Sequence, residues 1–300
     1  MSILSRRHLL ALSAAALPLS VRAMNSADLS QALAALEARA GGRLGVAVLD
    51  SASGAQAGHR ADERFGLCST FKLLLAGAVL QQMDAGRWPA ERPIRFGKAD
   101  LVPHAPVVRA HLAQGHLTAA ELAEATQTTS DNAAANLLMR ELFKGPSGLT
   151  QWLRERGDAV TRLDRWEPEM NRVPPGELRD TSTPAAIAAS ASRLLTSELL
   201  QPASRARLIA WMEATQTGRR RLRAGLPQGW RAGDKTGTGM HPSMPDRTND
   251  VAIVWPGPER APWLIAAYYE GSRRGSRDIQ AADEAVLAEV GRLVGNWLAA

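Results

Sequence analysis

Residues 44–49, Leu44-Gly45-Val46-Ala47-Val48-Leu49, form an unbroken apolar run that ends in Ser51-Ala52-Ser53-Gly54. A short run of this kind closed by turn-forming residues reads as a buried strand. Just before it, Leu29, Leu33 and Leu36 fall on one helical face, which predicts an amphipathic helix over 27–40. After it, from Thr70 to Thr215, the signals are helical. Thr118-Ala119-Ala120-Glu121 has capping-box spacing, Ala133 to Phe143 reads as a helix, and Thr183-Pro184 sets an N-cap before a first-turn proline. Strand patterns return only at 230–237, 249–255 and 262–269, and a helix over 279–298 closes the chain. Strands at both ends of the chain are expected to meet in one antiparallel sheet flanked by helices, with the central helices as an inserted lobe. The expected class is α/β (α+β). Its α/β lobe comes from about 24–61 and 216–300 and its all-helical lobe from about 62–215. The cleft between sheet edge and helical lobe is the natural place for chemistry. Residues 158–182, with Pro168, Pro174, Pro175 and Gly176 and little periodicity, read as a long surface loop.

Composition narrows the function classes. With 300 residues, 45% of them apolar and 22% charged, the chain can build a sizeable core, and wholesale disorder is excluded. The single cysteine, Cys68, cannot form an internal disulfide or a CxxC zinc cluster. The six histidines contain no H-E-x-x-H pair, so neither a metal nor another cofactor is expected. The net charge of +6 hints at an anionic partner until its origin is traced. Residues 1–23 carry Arg6-Arg7 ahead of an apolar run from Leu9 to Leu19, then Val21-Arg22-Ala23, which resembles a small-residue cleavage site. The apolar run is shorter than the ~20 residues a membrane span needs. This segment reads as an export signal. Ser5-Arg6-Arg7-His8-Leu9-Leu10 resembles the twin-arginine type, with Leu where that type prefers Phe, and ordinary Sec export is the alternative. Without Arg6, Arg7 and Arg22 the balance is 33 − 30 = +3, from the 36 basic and 30 acidic residues. The run Arg219-Arg220-Arg221-Leu222-Arg223 is short and lacks interleaved aromatics, so no nucleic-acid partner is expected. The expected product is a soluble monomer, periplasmic or secreted, free of the membrane once the signal is removed. Only four of the 36 basic residues are lysine (Lys72, Lys98, Lys144 and Lys235), which makes each of them worth examining.

Two of these lysines lie in short motifs. In Ser69-Thr70-Phe71-Lys72, serine and lysine three residues apart at a helix start share one face. The positive end of the helix dipole and nearby cations disfavour a charged ammonium, so Lys72 is suited to act as a base, which arginine is not. A cap serine beside a solvated lysine is the plainer alternative. Ser130-Asp131-Asn132 precedes a helical run and reads equally as a helix cap. Lys235-Thr236-Gly237, followed by Thr238-Gly239, stands at the end of an expected strand. A phosphate-binding loop is excluded because Asp234, not glycine, precedes Lys235.

The three motifs, in this order and on helix, loop and strand, resemble those of the serine acyl-transferase superfamily of class A β-lactamases and penicillin-binding proteins. The resemblance spans essentially the whole chain after residue 23. Arg165-Trp166-Glu167-Pro168-Glu169-Met170-Asn171 is similar to the class A loop pattern R-x-E-x-x-L-N, with Met170 in place of leucine, and Asp180-Thr181-Ser182-Thr183-Pro184 is similar to the segment that closes that loop. Transpeptidases of the superfamily lack this glutamate arrangement. The resemblance implies a serine β-lactamase that hydrolyses the lactam amide through an acyl-enzyme on Ser69. It implies that Lys72, or Glu167 through a water, takes the serine proton, that Ser130 protonates the leaving nitrogen, and that Glu167 and Asn171 activate the deacylating water. It further implies that Lys235, Thr236, Gly237 and Thr238 line the substrate carboxylate and oxyanion side, with Asn132 on the acylamino group. Arg165 and Asp180 are expected to pair across the loop's neck. His104 stands where an aromatic gate residue usually lies, Cys68 precedes the nucleophile without a partner, and Arg221 either reaches the substrate carboxylate or belongs to a solvated charge run. The alternatives are a peptidoglycan DD-peptidase or transpeptidase and a non-catalytic penicillin sensor.

Overall fold

The computed structural model describes residues 25–300, so the export-signal reading of 1–23 lies outside the described residues. The chain opens with helix α1 (Ser26–Ala40) and strands β1 (Arg43–Asp50), β2 (Gln56–His59) and β3 (Phe65–Gly66). The long middle contains α2 (Phe71–Asp84), β4 (Pro93–Arg95), α3 (Pro106–Ala110), β5 (His116–Thr118), α4 (Ala119–Thr128), α5 (Asn132–Phe143) and α6 (Pro146–Arg154). There follow β6 (Thr181–Ser182), α7 (Pro184–Thr196), α8 (Pro202–Ala214) and α9 (Leu222–Gly225). Strands β7 (Arg231–His241), β8 (Met244–Trp255) and β9 (Trp263–Arg274) then lead into α10 (Ala281–Ala299).

The main sheet has the order β2-β1-β9-β8-β7 and is antiparallel throughout. Strand β1 pairs with β9 from Arg43↔Glu270 to Asp50↔Trp263, so the opening apolar run does join the last strands of the chain. Its unbroken hydrophobicity has a simple cause. Leu44, Val46 and Val48 face a core shared with Leu29 and Leu33 of α1 and Leu287 and Val290 of α10, while Ala47 and Leu49 face a second core with α2 and α7. Alternate residues of a strand point to opposite faces, and here both faces are covered. Gly45 is required by the same packing, because a Cβ there would lie 2.3 Å from the Phe65 ring and 3.0 Å from Pro184.

Helix α2 is the axis of the helical region. Every residue from Phe71 to Leu80 is buried, so it has no polar face, as a core helix requires. Lys72 therefore places an ionisable amine inside an otherwise apolar stretch of helix. The expected caps hold. Thr118 and Glu121 form a capping box, and the Thr183 hydroxyl accepts from Ala186 N ahead of Pro184.

Three expectations change. The region from 70 to 215 is not purely helical: β4 pairs with β5, and β6 returns to pair with β3 beside the Ser69 turn. Strand β8 starts at Met244 rather than 249, because Asp246, Arg247, Thr248, Asn249 and Asp250 are buried despite their polarity, which hid the strand from its composition. The 158–182 segment is not merely a surface loop, since Glu167, Met170 and Asp180 are all buried. The expected neck is present: Arg165 Nε donates to Asp180 Oδ2 at 2.6 Å, and Asp164 N and Arg165 N donate to Asp180 Oδ1. Among the described residues no helix is long and apolar enough to cross a membrane.

Forcing a branched side chain between β1 and Phe65 overpacks a closed core. Gly45→Val is expected to lower unfolding stability by about 1–3 kcal/mol, read as a lower melting temperature. An unchanged melting temperature would show that Phe65 and Pro184 do not confine this position.

Candidate active site

Ser69 lies in a single 3-10 turn, Cys68–Thr70, which runs straight into α2. The Thr70 hydroxyl ties that turn to Leu67 O at 2.7 Å and to the Tyr268 hydroxyl at 2.8 Å, so β9 holds the nucleophile-bearing turn in place. Along the helix, Lys72 Nζ donates to Ser69 Oγ at 3.0 Å. Before α5, Asp131 caps the helix by accepting from Ala134 N and also accepts from Val107 N and Val108 N. The middle residue of Ser130-Asp131-Asn132 is thus a cap, as the plain reading allowed, and the cap turns its two neighbours inward. Ser130, in the left-handed region at φ 62°, presents its carbonyl to Lys72 Nζ at 2.9 Å. Asn132 Oδ1 also accepts from Lys72, and its Nδ2 donates to Pro103 O at 2.8 Å.

Strand β7 brings the third motif to the same point. Lys235 Nζ donates to Ser130 Oγ at 3.1 Å and to Thr236 O at 2.8 Å. Gly237 permits the approach, since a Cβ there would lie 3.0 Å from Leu67 O and 3.2 Å from Cys68 Cβ. The loop contributes Glu167, whose Oε1 is 3.1 Å from Lys72 Nζ and 3.5 Å from Ser69 Oγ. Asn171 Nδ2 donates to Glu167 Oε2 at 2.6 Å. Ser69, Ser130, Asn132, Asn171, Thr236 and Thr238 open onto one cleft of about 300 Å³, with Lys72, Glu167 and Lys235 behind it. His104, Met240 and Ile279 stand at its rim, and His104 Nε2 pairs with Thr129 O at 2.9 Å.

A family model described as the beta-lactamase enzyme family matches residues 28–298. The chain is 45% identical to Beta-lactamase L2 of Stenotrophomonas maltophilia over 97% of this chain and 98% of that one. A solved ancestral class A beta-lactamase superposes with a TM-score of 0.81 at 54% identity, covering 89% of this chain and 98% of its own. The chain belongs to the class A β-lactamases. A beta lactamase structure from Xanthomonas campestris pv. campestris, at 46% identity, superposes with a TM-score of 0.84 over 91% of this chain and 99% of its own. The protein is accordingly a serine β-lactamase acting on β-lactam substrates, and the DD-peptidase alternative is not favoured.

The electrostatics of this β-lactamase follow from burial. Lys72 is wholly buried, which depresses its pKa; the charge and hydrogen bond of Glu167 oppose that shift. Burial, rather than the helix dipole invoked from the sequence, is the leading cause. Burial and then the neighbouring charge of Lys72 bring Lys235 down to about 7. Burial pushes the Cys68 thiol up to about 12, so Cys68 is a small, inert core side chain. Arg221 is not part of a solvated run. It is almost wholly buried, donating to Gly237 O, Asn249 O and the Thr238 hydroxyl, and it contributes to the lining of the cleft beside Thr238.

Sequence reading missed Asn136. Its side chain accepts from Glu167 N at 3.0 Å and donates to Glu167 O at 2.9 Å, clamping the loop glutamate to α5. A signal existed: Asn136 is four residues after Asn132, on the same helical face. Arg247, which donates to Asn171 O and Val173 O, was missed because no pattern marks it.

The Lys235 ammonium is present below about pH 7 and is lost above it. For a carboxylate-bearing β-lactam, kcat/KM is expected to fall as pH rises through about 7, approaching tenfold per unit. A bound carboxylate favours the ammonium, so the fall in kcat comes at higher pH. The stability sign is fixed too. Folding releases this proton between about 7 and the ordinary 10.5, so the burial penalty is full below about 7 and is relieved as pH climbs. A flat kcat/KM profile from about pH 6 to 9 would contradict this reading.

Proposed function

We propose that this β-lactamase works as follows. Ser69 Oγ attacks the lactam carbonyl carbon while Lys72 Nζ, in its neutral form, takes the hydroxyl proton over 3.0 Å. Lys72 is nearer to Ser69 than is Glu167, at 3.5 Å, which favours the direct route over one through a water. Negative charge develops on the carbonyl oxygen, where the backbone N–H groups of Ser69 and Thr238 receive it, at roughly 3 kcal/mol per donor. The tetrahedral carbon then expels the lactam nitrogen, which takes a proton from Ser130 Oγ, and Lys72 Nζ, 3.5 Å from that hydroxyl, passes on to it the proton taken from Ser69. Lys235, donating to that hydroxyl at 3.1 Å, holds it in place and supplies positive charge for the substrate carboxylate, with Thr236 and Thr238 as further donors. Asn132 meets the acylamino group. Arg221 acts on the carboxylate side through Thr238, and its burial leaves it no freedom to reach far into the cleft.

Deacylation uses the loop. Glu167 takes a proton from a water that attacks the ester carbon, and Ser69 leaves with that proton returned to it. Asn171 Oδ1 is buried and has no partner among the described residues, so it serves as an acceptor for that water. The observation that carries the reading is the Glu167 carboxylate, with one oxygen beside Lys72 and Ser69 and the other held by Asn171. A transpeptidase has no use for a carboxylate aimed at its own ester. The working unit is a two-lobed monomer, with an α/β lobe of about 24–61 and 216–300 and a helical lobe of about 62–215, exported by residues 1–23 and independent of nucleic acid or cofactor.

The protein is expected to turn over a chromogenic cephalosporin many times. Glu167→Ala should cut steady-state turnover by about 10²–10⁴-fold and accumulate a covalent adduct visible by intact mass. Ser69→Ala should form no adduct. A single stoichiometric burst from the unaltered protein, or unchanged turnover in Glu167→Ala, would overturn the proposal.

A further inference from the structure

The two halves of the deacylating pair are held to the body differently. Glu167 is clamped through its own backbone by Asn136. Asn171 lies four residues further on, where the loop leaves α5 and crosses toward the sheet. Behind its outgoing limb is not packed core but a cavity of about 280 Å³. Pro174, Pro175 and Leu178 line its loop side, and Arg43, Arg247 and Glu270 line its sheet side. Arg247 spans this gap. It sits on β8 directly across from Glu270 of β9 and is 3% exposed. Its Nε donates to Glu270 Oε1 at 3.1 Å, its Nη1 to Asn171 O at 3.4 Å, and its Nη2 to Val173 O. Glu270 is itself held by Arg43 Nε at 3.0 Å, and the Arg43 guanidinium stacks on Phe65 at 3.8 Å. Gly66 leaves room for the bridge, since a Cβ there would lie 3.1 Å from Arg247 Nε.

We propose that Arg247 is a positioning residue for deacylation: by holding the backbone of Asn171 and Val173 against the sheet, it keeps the Asn171 carboxamide in register with Glu167. Arg247 does not line the substrate cleft, and it makes no hydrogen bond to Ser69, Lys72, Ser130 or Lys235 among the described residues. Its loss therefore bears on the second half-reaction and leaves the first. The planar guanidinium matters, because one group must serve a carboxylate and two carbonyls in different directions, which a lysine ammonium on a flexible stem does poorly. This inference rests on the assignment of Glu167 and Asn171 to deacylation.

The test separates the two steps in Arg247→Met and Arg247→Lys. Pre-steady-state bursts give the acylation rate, and decay of the adduct by intact mass gives deacylation. The expected result for Arg247→Met is acylation at the unaltered rate and deacylation slowed about tenfold or more, the scale of a small misplacement in a reacting group. Arg247→Lys should fall between the two, because it keeps the charge opposite Glu270 but not the bridge. A merely structural role would lower the melting temperature and the yield of active enzyme without changing the ratio of the two rates. If Arg247→Met does not fold, the same ratio in Arg247→Lys decides. Trapped adduct in Glu167→Ala with an unchanged ratio in the Arg247 variants would overturn this inference alone. Unchanged turnover in Glu167→Ala would overturn the underlying assignment, and this inference with it.

Discussion

A lysine nitrogen and a glutamate oxygen 3.1 Å apart, with neither side chain exposed, are the constraint on which the rest of this structure depends. Lys72 cannot be moved outward, because it belongs to a helix buried on every side. Taking an ammonium out of water is costly, and in a protein the usual response is a displaced protonation equilibrium rather than a lone buried charge. The surroundings of Lys72 answer that cost with acceptors: Ser69 Oγ, Ser130 O, Asn132 Oδ1 and Glu167. These four come from three segments, the Ser69 turn, the Ser130–Asn132 stretch and the loop, so the demand of one buried nitrogen draws helix, cap and loop to one point. An arginine there would be a permanent cation and could not exchange a proton with Ser69.

The same demand explains why the 158–182 loop is built as rigidly as it is. A carboxylate beside Lys72 must arrive from a segment with no regular secondary structure long enough to position it. The loop is instead fastened at several points: Asp180 takes three hydrogen bonds at its neck, Met170 plugs into the helical core, and Asn136 grips Glu167 by its backbone. The β3–β6 pairing adds the last fastening, joining the loop's exit to the strand just before the Ser69 turn. Nucleophile and loop glutamate are thereby referred to one common frame.

Much of this was legible in the sequence, and the reasons for the rest are physical. The run at 44–49 marked a strand, and its partner followed from the scarcity of strand signals before residue 230. The three short motifs and the loop pattern located the side chains that meet in the cleft. Charged residues were misread wherever burial pays out through tertiary partners that no local pattern reveals. The Arg219–Arg223 stretch looks like a solvated run, yet Arg221 is buried because β7 offers it a carbonyl and a hydroxyl and β8 a second carbonyl. The start of β8 looks polar, yet Asp246, Arg247, Asn249 and Asp250 are buried with hydrogen-bond partners inside the fold. The sequence reading singles out Lys72 but ascribes its shift to the helix dipole and nearby cations, although the apolar run from Leu73 to Leu80 beside it already marks a helix with no solvent face.

The buried Lys72 and its opposition by Glu167 can be observed directly. The chain has only four lysines, so selective carbon-13 labelling of the lysine ε-carbon gives a spectrum of four signals, assignable by single substitutions. A pH titration of the resting enzyme followed by NMR should show Lys72 losing its proton below the ordinary 10.5, and Glu167→Gln should lower that midpoint further by removing the carboxylate that favours the ammonium. A Lys72 signal that titrates at the ordinary value, or that moves upward in Glu167→Gln, would contradict the account.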